Sequence, residues 1–388
     1  MLLSENLALY GSFCHLVVVA AMQLHLQLGM RKIRRVTALD SFEEPLPSLS
    51  IVVAARNEER DIEAGLRSLM ELEYSPVQLI VVNDRSTDRT GAIIDRVALN
   101  DSRIVVIHLE SLPEKWLGKN HALQCGAKVA TGEYLLFTDA DVVFHPRALV
   151  RTVAYAETHS LDHLAALPAF SMPTTLLESF ATVFSVFFLS YFLPWRAPDP
   201  RSSAHIGIGA FNLVRRAVYE QIGRHEPIRM RPDDDIKLGK LIKSAGFRQE
   251  LVLASSEIRV PWYATVREAV VGLEKNVLAG VDYRPSILLG NCVLVLALFF
   301  SPFVAIWLYA GIARWLYIAT AVILLLSAGK LALDLDAGGR CWCVLWYPVT
   351  LLLFVYVVVR NTILTYWRGG IRWRDQHYPL SQLRANKL

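Results

Sequence analysis

Three acidic clusters carry the residues best suited to chemistry in this 388-residue chain: Asp84 in IVVNDRSTD, Asp139 and Asp141 in YLLFTDADV, and Asp233, Asp234 and Asp235 in RPDDDIKLGKL. The first two follow short apolar runs that read as buried strands. Their carboxylates therefore stand at the carboxyl ends of strands, where open α/β sheets bind ligands. Gathered carboxylates cost free energy unless they hold a cation or move protons. Asp139 and Asp141, one residue apart, can face the same hard cation. Magnesium or manganese would complete its shell with phosphate oxygens and neutralise charge on a departing diphosphate. The competing role for this pair is to cap a following helix. Asp84 can accept a hydrogen bond from a base or a ribose hydroxyl, or simply brace its own turn. The acidic triplet either opens a helix or turns one carboxylate inward as general base on an acceptor hydroxyl. Lys119 and Asn120 open a helical stretch whose free backbone amides suit a phosphate, although a surface lysine is the alternative. Gly207 and Gly209 in HIGIGAFN permit close backbone approach, or an ordinary turn.

The elements that must position these groups alternate. SLSIVVAARN, VQLIVVNDRS, RIVVIHLE and EYLLFTDAD read as strands, and EERDIEAGLRSLMEL, TDRTGAIIDRVALN and NHALQCGAKVA as helices between them. Such alternation predicts an α/β fold: a doubly wound, mostly parallel sheet with helices on both faces.

The remainder is unlike a soluble enzyme, with 53% hydrophobic residues and a mean hydropathy of +0.34. Apolar runs fall near Leu7–Leu28, at 176–193, and three times between about 287 and 365. The first is expected to be a retained anchor, amino end outside, because its positive cluster (RKIRR, 31–35) follows the run and no cleavage site is clear. The run at 176–193 carries a thin polar stripe and is expected to lie in the membrane interface. The last three are each near spanning length. Four crossings from an outside amino end would leave the basic tail outside, whereas Arg360, Arg368, Arg372, Arg374, Arg384 and Lys387 favour the inside. The segments are therefore 1–35, anchor and basic flank; 36–285, catalytic, with 36–47 a linker; 286–366, membrane helices; and 367–388, a basic cytosolic tail. The five cysteines make no CxxC pair and are expected to be reduced thiols. Basic residues set against membrane segments argue for no nucleic-acid partner.

SIVVAARNEE, VVNDRSTD, GKNHALQCG, FTDAD, GIGAFNLVRR and PDDDIKLGKLIKSAG occur in the order of the family 2 inverting glycosyltransferases of GT-A fold, which this chain resembles over about residues 48–285. The membrane segments and the final WRGGIRWRDQHYPLSQL resemble the branch that glycosylates lipids, including hopanoid- and carotenoid-associated enzymes and, more distantly, ceramide glucosyltransferases. The resemblance implies that Ala55, Arg56 and Glu58 line a nucleotide pocket and that Asp84 bonds uracil. It also implies that Asp139 and Asp141 bind Mg2+ or Mn2+, Asp141 more directly. Asp235 would be the catalytic base, preceded by Asp234 where Glu is usual. Asn83 replaces the commoner aspartate. The family's Gln-x-x-Arg-Trp motif is absent, with VREAVVGLEKNVLAG in its place, so the diphosphate contact falls to Arg267, Lys275 or Asn276.

The expected protein is thus a multi-pass inner-membrane enzyme with its catalytic domain facing the cytoplasm. It would move one sugar from a nucleotide-diphosphate donor, such as a UDP-sugar, to a lipid acceptor, with the helix 176–193 and the later spans delivering that acceptor. The alternatives are a polyprenyl-phosphate sugar transferase and a non-catalytic nucleotide-sugar-binding membrane protein.

Overall fold

The computed structural model describes residues 2–36, 45–335, 340–374 and 376–386. Most of the linker expected at 36–47, part of LDLDAGGR and Lys387 lie outside the described residues. The chain packs as two compact units. A sheet unit comprises Ile33–Ser171, Phe192–Pro261 and Arg372–Leu388, and a helix unit Met1–Lys32, Met172–Tyr191 and Trp262–Ile371. The helix at 176–193 and the segment replacing Gln-x-x-Arg-Trp, both read from the sequence as catalytic-domain, fall in the helix unit. The tail falls in the sheet unit.

The sheet unit is built on eight strands: β1 (Arg34–Arg35), β2 (Leu49–Ala55), β3 (Val77–Asp84), β4 (Ile104–Leu109), β5 (Tyr134–Asp139), β6 (His163–Leu167), β7 (Asn212–Arg215) and β8 (Gln249–Leu253). Their spatial order is β1-β8-β6-β7-β5-β2-β3-β4. All pairs are parallel except those of β7, which runs antiparallel to both β5 and β6. Every residue of β2 is buried, as expected of a strand covered on both faces. Ile51, Val53, Leu79 and Val81 belong to one apolar cluster, which also holds residues of the helices Ile62–Met70 and Ala148–Thr158. Val52, Ala54, Ile80 and Val82 belong to a second, with Ala122, Leu123 and Ala127 of the helix Gly118–Val129. This period-2 alternation sends neighbouring residues to opposite layers.

In the helix unit, the helices Pro285–Val295 and Ser301–Leu308, joined by a π-helical turn, and the helix Gly311–Asp334 form a hairpin around Tyr309–Ala310. Helix Leu2–Met30 runs parallel to the second arm: His15 rings pack edge-on to Tyr317, and Gln27 Nε2 donates to the Ser327 carbonyl at 3.1 Å. Among the described residues five helices, including Thr175–Arg196 and Cys341–Trp367, are long and apolar enough to cross a membrane. The last has an unusual course. Arg340, just beyond the second arm, donates to Glu178, and Cys341–Trp346 then enters the bundle as a 3₁₀ turn. Tyr347 packs on Phe303, deep along the first arm. The helix Tyr347–Trp367 then runs back, so that Asn361 bonds the Val270 carbonyl, Tyr366 the Tyr283 carbonyl and Arg368 Glu274. Both flanks of this segment therefore sit at the open end of the hairpin. The five cysteines are all free.

Candidate active site

The apolar runs end where the carboxylates begin. Register pairs Ala54 with Asp139 and Ala55 with Asn83, so Asp139 and Asp84 stand at the same edge of the sheet with β2 between them. Two strand spacings separate them by about 10 Å. Asp141 lies two residues further, before the short strand Val143–Phe144. The next helix starts only at Ala148, so this pair caps no helix.

Lys119, in the first turn of its helix, reaches Asp139 at 2.7 Å and Asp234 at 3.7 Å. Burial works against its charge, but Asp139, Asp234 and Asp235 outweigh it and raise the ammonium above the ordinary lysine value. The acidic triplet divides between structure and site. Buried Asp233 is held by both arms of buried Arg231 at 2.9 Å and by Lys237 at 3.7 Å. Asp234 faces Lys119. Asp235 accepts from the Ile236 amide at 2.8 Å, and burial together with the Asp234 charge pushes it up to about 7. Lys119, Thr138, Gly209, His225, Asp234 and Asp235 line one small cavity. A Cβ on Gly209 would lie 2.9 Å from Asp139 Oδ2 and 3.4 Å from Asp235 Oδ2. Only hydrogen leaves room for these two carboxylates to converge.

Burial and the charges of Asp139, Glu58 and Asp61 push Asp141 up to about 7. This crowding of acids that raise Asp141 fits a divalent cation by its donor chemistry. Among the described residues no three His, Cys, Asp or Glu side chains form a ready cage. A magnesium-type site needs only one or two carboxylates plus substrate phosphate, which Asp139 and Asp141 fit. His225 is no competing base: burial and the Lys119 charge push it down to about 3, and its Nδ1 lies 2.6 Å from the Tyr219 hydroxyl.

The nucleotide-side residues are arranged differently from the expectation. Asp84 is already engaged, its two oxygens bonded by Arg85 at 2.7 and 3.1 Å, with Arg56 at 3.8 Å. Arg56 Nε is buried without a hydrogen-bond partner among the described residues. An orphaned buried donor is costly, and a ligand oxygen would satisfy it. The Ala55 methyl belongs to the core. Glu58 is fixed through its amide, which donates to Thr90 Oγ1 at 2.8 Å, and its carboxylate takes Arg374 of the tail at 2.7 Å. Arg85 and Arg374 were not singled out as nucleotide-side groups from sequence. Arg85 has the signal of adjacency to Asp84, while Arg374 is 316 residues from its partner. Arg267, Lys275 and Asn276 lie in the helix unit.

Residues 50–223 match the family model for glycosyl transferase family 2. The protein carries a family 2 glycosyltransferase domain. It is similar to the 4,4'-diaponeurosporenoate glycosyltransferase of Staphylococcus aureus strain USA300, with 24% identity over 86% of this chain and 89% of the relative. The enzyme of the same name from strain bovine RF122 / ET3-1 is 29% identical over 46% of this chain and 47% of the relative. Among solved structures, a mannosyltransferase from Pyrobaculum calidifontis, in complex with GDP-Man and Mn2+, superposes with a TM-score of 0.53 at 15% identity, covering 91% of this chain and 98% of that one. The architecture of this glycosyltransferase is therefore GT-A, with long apolar helices at both ends.

Proposed function

We propose that this glycosyltransferase moves a sugar from a nucleotide-diphosphate donor to a lipid acceptor by a single, inverting displacement. The observation that carries the reading is the convergence of Asp139, Asp234 and Asp235 on Lys119 at the carboxyl edge of the sheet. Asp235 takes the proton of the acceptor hydroxyl as the oxygen attacks the anomeric carbon, and the nucleoside diphosphate leaves with the bonding pair. A base held near pH 7 is poised for that transfer. Lys119 balances the acids while staying charged, and its position at a helix start suits a phosphate oxygen. Asp139 and Asp141 would hold Mg2+ or Mn2+, which when bound supplies positive charge to the leaving diphosphate. The Arg56–Asp84–Arg85 cluster forms the base-side wall, with Arg56 Nε as a donor to the nucleotide. A uracil base remains the proposed partner of this wall, with a UDP-sugar as donor.

The lipid class is supported by the named activity of the S. aureus relatives and by the apolar helices. The basic flanks favour a sheet unit facing the cytoplasm.

The test is transfer by the solubilised protein with Mn2+, UDP- or GDP-hexoses, and either a long-chain carboxylic or hydroxyl lipid or a polyprenyl phosphate, read by mass spectrometry. A hexose-sized gain on the first lipid class supports the reading. Gain only on the polyprenyl phosphate moves the enzyme to that class, since that acceptor arrives ionised and needs no base. Turnover by Asp235→Asn at the wild-type rate overturns the base assignment.

A further inference from the structure

The tail meets three segments that border the proposed site. Arg374 Nη2 donates to Glu58 Oε1 at 2.7 Å, three residues beyond the end of β2. The Tyr378 hydroxyl lies near the Gly118 amide and donates to Gln376 Oε1 at 2.6 Å. Gly118 begins the Lys119 helix and abuts the base-side cluster, since a Cβ there would lie 2.3 Å from Asp84 Oδ2 and 2.8 Å from Arg85 Nη2. Asn386 closes the third contact, accepting from the Met230 amide at 2.9 Å and donating to the Pro227 carbonyl at 2.8 Å, on the segment that leads into Asp233–Asp235. Buried Leu380 and Leu383 pin the short helix between these points.

The Arg374–Glu58 pair is not explained as a stabilising device. The two side chains are 30% and 26% exposed, and a partly solvated ion pair contributes little to folding. What the pair achieves is placement. Glu58 lies three residues beyond β2, whose Ala54 pairs with Asp139, so the guanidinium it holds stands at the same edge of the sheet as the carboxylates that fit a cation. Arginine presents five donors in a rigid fork that matches phosphate oxygens, and one bond to Glu58 does not exhaust them.

We infer that the tail is a wall of the donor subsite, with Arg374 positioning the donor's diphosphate in place of the missing Gln-x-x-Arg-Trp arginine. This inference rests on the proposed nucleotide-diphosphate donor. It assigns the contact to the sheet unit's own C-terminal segment, and not to Arg267, Lys275 or Asn276.

Binding of UDP and GDP, and of UMP and GMP, to the full-length solubilised protein with Mn2+ tests it by calorimetry. Arg374→Gln should weaken the nucleoside diphosphate that the wild type binds by roughly tenfold or more, while the matching monophosphate changes less than about twofold. Equal losses for both would make the tail mere scaffold and overturn the inference, as would no loss for either. If Arg374→Gln does not fold, Arg374→Lys carries the test, because it keeps the charge but loses the fork; a several-fold loss confined to the diphosphate is then expected, and unchanged diphosphate binding rejects the role. A wild type that binds neither diphosphate rejects the donor reading itself, which separates the two failures.

Discussion

Lys119 binds Asp139 at 2.7 Å, so the first carboxylate of the Asp-x-Asp pair brings its own counter-charge and the second does not. The charges of Asp139, Glu58 and Asp61 act with burial to raise Asp141, so it is the group most relieved by a cation. Asp141→Asn should therefore cut transfer roughly 100-fold or more and raise the Mn2+ concentration needed for half-activation, since lost electrostatic stabilisation of developing charge has that magnitude. A metal titration of steady-state rates checks this. Unchanged metal dependence would remove Asp141 from the metal site.

Lys119 also serves the fold. Removing it leaves Asp234, only 6% exposed, without that cation. Breaking a buried pair from one side costs roughly 3 kcal/mol or more, so Lys119→Met should lower the thermal midpoint by several degrees and abolish transfer. Lys119→Arg should recover most of the stability, read from thermal unfolding in detergent.

Asp235 links stability to pH in the opposite sense from an ordinary salt-bridged acid. Its folded value, about 7, lies above the unfolded carboxylate range, so its ionisation penalises the fold at high pH and the penalty fades as pH falls through 7 towards 4. Asp235→Asn should therefore be more stable than the parent at pH 8, by about 2 kcal/mol after discounting for its partial exposure. That gain should shrink below pH 6. Activity should show the converse: the wild-type rate rises with pH through about 7 as the base ionises, and the variant lacks this limb. A variant with parent-like stability at both pH values would place the carboxylate in ordinary solvent.

Two neighbouring glycines should fail differently. Gly209→Ala puts a methyl against Asp139 and Asp235, and should lose at least tenfold in activity with the fold retained. Gly207→Ala places its Cβ 1.8 Å from the Asp235 carbonyl oxygen, a backbone clash that no rotamer relieves, so the protein itself should unfold at lower temperature. Parallel activity and melting measurements separate the two.

Four strands and the carboxyl-edge placement of Asp84 and Asp139 were legible because period-2 burial and strand-ending acids are local signals. The antiparallel β7 was not, since the four residues of NLVR carry no mark of direction. Nor was the division of the acidic triplet, because it depends on Arg231 and Lys237 claiming Asp233. Asp84 was read either as an acceptor for a base or ribose hydroxyl or as a brace for its own turn, and the bonds of its neighbour Arg85 to both oxygens were not foreseen. The tail was read from its charge as membrane-flanking. Its contacts with Glu58, Gly118 and Met230 are tertiary pairings that composition does not encode.

Hydropathy also measures the length of a helix and not its direction, and Tyr347–Trp367 shows the difference. A segment that goes in and comes out by the same door adds nothing to the tally of passages through a bilayer. With the helix Thr175–Arg196 lying in the interface, as its polar stripe predicts, the hairpin would contribute two passages and the amino-terminal helix one; that odd total would put the two ends of the chain on opposite sides and the arginine-rich end where the charge rule wants it. Single cysteines placed at Arg384 and at Leu7 in a background lacking the native thiols should then react with an impermeant maleimide from opposite faces of sealed vesicles.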